Sequence, residues 1–305
     1  MNILIAGGTG LIGCALIKTL SDERHDVTVL SRNERAANEK LGSAVRMLPW
    51  DGGFVGAWAS AINTADAVIN LAGESIGERK WTKTRKEQIL QSRVNATRAI
   101  VDAILKAEKK PSVLINASAV GFYGNVPAGD VDESHAPGND FLAEVCKVWE
   151  LEARRIENAG VRLVLLRTGI VLARNGGALE KMVTPFKFFI GGPLGMGAQW
   201  MPWIHLDDHA GIVKFALNND RISGPINLSS PSPVMMKEFA RALGRALHRP
   251  SFFGVPSFAL KMLLGEMSSL VLEGQRAVPN KILSTGYQFQ FPKLDGALRN
   301  IFMKK

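Results

Sequence analysis

The sequence predicts an α/β fold: a doubly wound parallel sheet with a smaller C-terminal α+β lobe. Three observations predict it. Through the first two-thirds of the 305 residues, short β-branched runs alternate with helix-length amphipathic stretches, the pattern of parallel strands covered on both faces. A glycine-rich turn directly follows the first strand-like run. From about residue 176 the alternation loosens into short elements divided by glycine and proline.

In chain order, strands are expected near 2–6, 26–31, 44–48, 66–71, 112–117 and 161–166, and helices near 11–22, 82–108, 141–158 and 206–219. Gly191-Gly192-Pro193-Leu194-Gly195-Met196-Gly197 reads as loop, and Pro225, Pro231, Pro233, Pro250 and Pro256 divide the short elements of the C-terminal third. The expected division is a dinucleotide-binding domain over 1–175, to which 206–230 returns, and a smaller lobe over 176–305. No linker, internal repeat or low-complexity tract separates them.

Composition excludes several classes. The chain is 46% hydrophobic and 21% charged, ordinary for a globular protein. The apolar run Leu163–Leu166 stops at Arg167, far short of a membrane span. No secretory leader is visible at the start, so a cytoplasmic location is expected. Two cysteines, Cys14 and Cys146, make neither a disulfide framework nor a metal site. The net charge of +9 is scattered, apart from one basic cluster: Arg79, Lys80, Lys83, Arg85, Lys86 and Arg93. That cluster reads as a solvated helix face or as a funnel for a phosphorylated cofactor or anionic substrate. No stacking-aromatic pattern supports nucleic acid.

Gly7, Gly10 and Gly13 stand at G-x-x-G-x-x-G spacing between the first strand and the first helix. Gly7 allows the sharp turn out of the strand. Gly10 lets backbone N–H groups approach a pyrophosphate, and Gly13 lets the helix pack closely. With Thr9, Leu11 and Ile12 they form the expected phosphate loop of a Rossmann-type fold, where helix N-terminal amides face the anion. An NAD site places an acid at the tip of the second strand, about 20 residues beyond the glycines. Here that tip is Ser31-Arg32, with Asp26 at the strand's other end. A hydroxyl and a guanidinium suit a 2′-phosphate, so NADP(H) is the expected cofactor.

With these residues in hand, the chain resembles the extended short-chain dehydrogenases/reductases, the group of nucleotide-sugar epimerases and dehydratases, over nearly its full length. The segments that carry the resemblance are Asn70-Leu71-Ala72-Gly73, Ser118-Ala119-Val120-Gly121-Phe122-Tyr123-Gly124, Trp203-Ile204-His205-Leu206-Asp207-Asp208 and Ile226-Asn227-Leu228. More closely, Ala72-Gly73-Glu74, Lys80-Trp81, Ser92-Arg93 and Gly191–Gly195 are similar to an atypical subgroup named only as epimerase family proteins. Its closing segment, roughly 250–300 here, resembles a small domain of unknown function. The resemblance implies that Leu71, Ala72 and Gly73 lie beside the adenine ribose. It also implies that the stretch Arg167–Val171 meets the nicotinamide carboxamide, with Val171 as the expected contact, and that Ser118 faces the substrate oxygen.

The chain departs from that pattern at the centre of the chemistry. Family members carry Y-x-x-x-K after strand five, with a glutamate four residues beyond the lysine. Aligned on Glu150, the lysine place holds Cys146 and the tyrosine place Leu142. Taking Lys147 as the lysine puts Ala143 in the tyrosine place instead. Arg93 replaces a usual asparagine; it reads as a cation for phosphate oxygens or as a structural ion pair. Hydride transfer at a carbonyl or alcohol needs a proton donor or acceptor. Tyr123, one of two tyrosines, and Ser118 are the candidate catalytic residues. Cys146 and Glu74 are weaker candidates, His205 and Asp207 read as helix-capping residues, and Arg167 reads as facing a substrate phosphate or an acid. The expected partner is a small polar substrate, neither nucleic acid nor membrane; many relatives of this architecture are homodimers, and the sequence leaves the assembly open. A non-catalytic NADP(H)-binding sensor is the alternative.

Overall fold

The computed structural model describes residues 1–42 and 45–303. Its centre is a seven-stranded, wholly parallel sheet. The strands are β1 (Asn2–Ala6), β2 (Asp26–Ser31), β3 (Arg46–Pro49), β4 (Ala67–Asn70), β5 (Val113–Ala119), β6 (Arg162–Thr168) and β7 (Gly224–Leu228), in the order β3-β2-β1-β4-β5-β6-β7. The expected doubly wound α/β fold is therefore present. Ala44, with which the third strand was expected to begin, lies outside the described residues.

The side-chain period of two in a strand explains the two layers. Ile3 and Ile5 point to one face, where they join Leu16 and Leu20 of α1 (Leu11–Asp22) and Val213 of α6 (Leu206–Leu217). Leu4 and Ala6 point to the other, against Ile100 and Ile104 of α3 (Lys83–Lys106) and Ala153 of α4 (Phe141–Arg154). Each of these fully buried leucines, isoleucines and valines contributes about 1.5–3 kcal/mol. A third core joins Trp203 and Leu172 to Leu179 of α5 (Gly177–Lys187), Phe239 and Leu243 of α7 (Met236–Leu247), and Leu298 near the C-terminus.

The sequence pattern missed several elements, among them α5, α7 and β7, and two more have a plain physical reason. Helix α2 (Glu34–Leu41) buries only Ala37, so no apolar stripe announces it. The strand Val126–Val131 is exposed except at its ends and pairs with Gln275–Ala277, a partner far along the chain. The α-helix expected over 141–158 ends at Arg154 and gives way to a 3₁₀ turn at Glu157–Ala159.

Strand order positions the site. From β1 the chain passes to β2 and β3 on one side, then crosses to β4 on the other, so a crevice opens beyond the C-terminal ends of β1 and β4. A buried side-chain network fixes its floor. Asn70 Nδ2 donates to Asn116 Oδ1 (2.7 Å) and Thr97 Oγ1 (3.0 Å), and Trp149 Nε1 donates to the same Thr97 oxygen (2.9 Å). Asn70 Oδ1 accepts from the Ala72 amide (3.1 Å), which shapes the turn leaving β4.

Candidate functional site

The glycine loop lies at this crevice. Gly7 has φ +77°, and a Cβ there would stand 2.6 Å from the Leu71 carbonyl carbon and 2.8 Å from the Ala72 nitrogen. Glycine is thus required twice over, for conformation and for the close approach of the loops after β1 and β4. At Gly13 a Cβ would meet the Gly7 oxygen at 2.5 Å, so this glycine lets α1 settle onto its own loop. Gly10 is different: a Cβ there would meet only the Gly7 oxygen, at 3.3 Å, leaving its outer side open. Gly10 caps α1 without a side-chain bond, and the first turn carries no acid. The amides opening α1, from Leu11 and Ile12 on, therefore present an anion site in the sense of helix-terminus recognition. Val171 lies close by, since a Cβ at Gly177 would touch both the Leu11 side chain and the Val171 carbonyl. Lys40, overlooked in the sequence because α2 was, donates to the Thr9 carbonyl (2.6 Å) and brings an ammonium to the loop.

At the tip of β2 the Ser31 hydroxyl donates to the Asn33 carbonyl (3.1 Å) and accepts from the Asn33 amide (3.2 Å). It is engaged in the turn into α2. Arg32 projects outward, its side chain 75% exposed, with Nη1 3.9 Å from Glu74 Oε1.

Beyond β4, part of the basic cluster folds inward. Arg85 is buried; its Nη1 meets Glu74 Oε2 at 3.1 Å and its Nη2 donates to the Ser75 carbonyl (2.6 Å). Arg93 lies along Gly73 and donates to the Ile89 (2.9 Å) and Glu74 (3.0 Å) carbonyls, with the Trp149 ring 5.1 Å from its guanidinium. Burial holds its pKa below the usual arginine value. In this geometry Arg93 braces the loop 73–74 rather than forming the structural ion pair, and the solvated-face reading fails for Arg85 and Arg93.

The second polar cluster lies at the end of β5 and is buried. Ser118 Oγ donates to Glu150 Oε1 (2.7 Å), and Glu150 holds Arg167 by two bonds of 2.9 Å. The Arg167 guanidinium lies 3.5 Å from the centre of the Phe122 ring and donates to the Tyr123 oxygen (3.0 Å). Tyr123 in turn donates to Asn227 Oδ1 (2.7 Å), joining β7 to this group. Tyr123 is only 2% exposed, and burial pushes its pKa up to about 12. A tyrosine that relays a proton near neutral pH is served by a lowered pKa and an accessible hydroxyl; the buried Tyr123 hydroxyl, bonded to Asn227, runs against its expected catalytic role. Arg167 faces an acid, Glu150, and not an open phosphate site.

Burial likewise pushes the Cys146 thiol up to about 12, the opposite of a reactive cysteine. His205 Nδ1 accepts from the Asp207 amide (3.0 Å) and so caps α6, whose first turn contains Asp207. Near the start of α4 a cleft of about 500 Å³ opens between Trp81, Phe141 and Leu142 on one side and Ser257, Lys261 and Leu272 on the other. Leu142, standing in one register where the tyrosine was sought, thus lines this cleft.

An uncapped helix start, crowded glycines and a crevice at the strand-order switch define a dinucleotide-binding protein of the Rossmann class. The particular family comes from comparison. Residues 3–229 match the NAD dependent epimerase/dehydratase family, and residues 255–301 match a domain of unknown function (DUF1731). The chain belongs to the NAD dependent epimerase/dehydratase family. It is 42% identical over 302 residues to the epimerase family protein YfhF of Bacillus subtilis, covering 99% of this chain and 98% of the relative. It is 41% identical to the chloroplastic SDR39U1 homolog of Arabidopsis thaliana, covering 99% of this chain and 86% of that one. The crystal structure of human epimerase family protein SDR39U1 with NADPH superposes with a TM-score of 0.91 at 35% identity, covering 100% of both chains.

Proposed function

We propose that this protein is an NADP(H)-dependent oxidoreductase or epimerase-like enzyme acting on a small polar substrate without the family's usual tyrosine. The observation that carries the proposal is the open anion site at the start of α1, with Arg32 at the β2 tip and the cleft beside α4. These residues fit the cofactor. Gly7, Thr9, Gly10, Leu11, Ile12 and Gly13 would receive the pyrophosphate and Arg32 the 2′-phosphate, with Ser31 setting the turn that carries Arg32. Leu71, Ala72 and Gly73 would line the adenosine side, Val171 the nicotinamide side, and Arg93 would keep loop 73–74 in place. The human relative solved with NADPH supports this choice over NAD(H). Bound NADP(H) supplies or accepts a hydride.

Ser118, at the C-terminal end of β5 and polarised by Glu150, is the group assigned to the substrate oxygen. Tyr123 becomes a strut between Arg167 and Asn227. The lobe from residue 176 provides the far wall of the substrate cleft, and the protein works in the cytoplasm.

The committed state of both hydroxyls favours one second reading, a non-catalytic NADP(H)-binding sensor. Purified protein with NADPH and a panel of carbonyls and nucleotide sugars separates the two. The enzyme reading expects turnover that Ser118→Ala lowers at least 100-fold and Tyr123→Phe leaves nearly intact. Tight NADPH binding with no turnover across the panel refutes the enzyme and leaves the sensor.

A further inference from the structure

Glu74 is held at three points at the mouth of the crevice, and one helix face does the holding. Arg85, Ile89 and Arg93 follow at intervals of four along α3, and Ser92 stands three beyond Ile89, which places them on a common side. The Ser92 hydroxyl accepts from the Glu74 amide (3.1 Å), Arg93 Nη2 donates to the Glu74 carbonyl (3.0 Å), and Arg85 Nη1 donates to Glu74 Oε2 (3.1 Å). Main chain and carboxylate are therefore fixed together. The other carboxylate oxygen, Oε1, faces Arg32 Nη1 at 3.9 Å. Arg32 leaves the tip of β2 and Glu74 follows β4, with β1 between those strands, so this ion pair spans the crevice mouth.

A long side chain with Arg32's exposure samples many rotamers, and ordering it on a ligand weakens binding. A carboxylate that is itself fixed narrows that choice in advance. Glu74 meets Arg32 through Nη1 at ion-pair rather than hydrogen-bond distance, which leaves guanidinium N–H groups for a second anion. We propose that Glu74 is a specificity-determining residue for NADP(H). It acts as a positioning residue, holding Arg32 where a 2′-phosphate, but not a 2′-hydroxyl, takes those guanidinium N–H groups. This rests on the reading that Arg32 meets the 2′-phosphate.

Fluorescence titration of the full-length chain with NADPH and with NADH decides the matter, comparing wild type, Glu74→Gln, Arg32→Ala and the double variant. Glutamine still accepts from Arg85, so the loop keeps its anchor while the charge opposite Arg32 is lost. An exposed ion pair of this kind corresponds to about a three-fold effect. Glu74→Gln is expected to loosen NADPH about three-fold and leave NADH unchanged, with the difference shrinking at high salt. On the Arg32→Ala background it should add nothing. Glu74→Asp, which draws the carboxylate back from Arg32, should lower the NADPH/NADH preference in the same direction and serves if the glutamine variant does not fold. Equal changes for both cofactors, tighter NADPH binding, or a loss that persists without Arg32 overturns the proposal. If Arg32→Ala alone costs NADPH and NADH equally, the 2′-phosphate reading itself fails; a selective Arg32 effect with a neutral Glu74→Gln sinks only the role of Glu74.

Discussion

Replacing Glu150 tests whether the buried cluster behind β5 is a coupled unit. Glu150 and Arg167 side chains are 3% and 4% exposed and joined by two bonds of 2.9 Å, and Ser118 adds a third bond to the carboxylate. Glu150→Gln strands a guanidinium in the interior with only the Tyr123 oxygen and the Glu133 carbonyl as further acceptors. Breaking such a buried pair from one side costs about 3–5 kcal/mol, a large share of the roughly 5–15 kcal/mol that stabilises a typical domain. Arg167→Met strands the carboxylate instead and should cost a similar amount. Glu150→Leu combined with Arg167→Met removes both charges together, and apolar replacements of such pairs are close to neutral. The double variant should therefore recover to within about 2 kcal/mol of wild type, a coupling energy far outside additivity. Urea denaturation followed by circular dichroism measures all three variants. Single costs below about 1 kcal/mol, or a double variant that loses the sum of the singles, would show that the pair is not the coupled unit described.

Three further outcomes are expected. Gly7→Ala places a methyl against the Leu71–Ala72 backbone at positive φ and should weaken NADPH binding about ten-fold or more while the far-ultraviolet spectrum stays native, as strain of roughly 1–3 kcal/mol implies; calorimetric titration reads it, and unchanged affinity would remove Gly7 from the site. Cys146, buried and with its thiol pushed up to about 12, should resist iodoacetamide at pH 8 in the native protein and react once urea unfolds it, as mass spectrometry of the labelled peptide can establish. Burial lowers the pKa of His209 to about 3, and its Nε2 lies 3.2 Å from Thr168 Oγ1. The unfolded imidazole takes a proton below about pH 6.5 and the folded one does not, so this residue's contribution is whole above that pH and is lost as pH falls toward 3. Between pH 7.5 and 5.5 the loss is about 1.4 kcal/mol, and His209→Gln should abolish that part of the pH dependence of unfolding.

What was legible in the sequence was local. The strands at 2–6 and 26–31 announce themselves by β-branched content, and the glycines between strand and helix by their spacing. That Arg32, and not Asp26, faces the crevice follows from strand direction alone, because parallel pairing aligns Asn2 with Asp26 and Ala6 with Leu30. Helix α2 escaped notice because it buries a single alanine, and Lys40 was lost with it. Ser118 and Tyr123 were found as residues, but the partners that hold their hydroxyls were not. Which acceptor a hydroxyl finds depends on Glu150 and Asn227, which lie 32 and 104 residues away.

The amino-acid order by itself determined the layered sheet, the phosphate-binding turn and the cationic tip of β2. Each arises from neighbours a few residues apart, through backbone sterics and side-chain periodicity. Only the tertiary structure decided that Arg85, Ser92 and Arg93 grip Glu74, that Tyr123 is sealed against Arg167 and Asn227, and that Leu142 lines a cleft whose other wall comes from beyond residue 250. Those contacts join segments with no common periodicity, and burial, which sets the charge and reach of each group, belongs to the packed molecule.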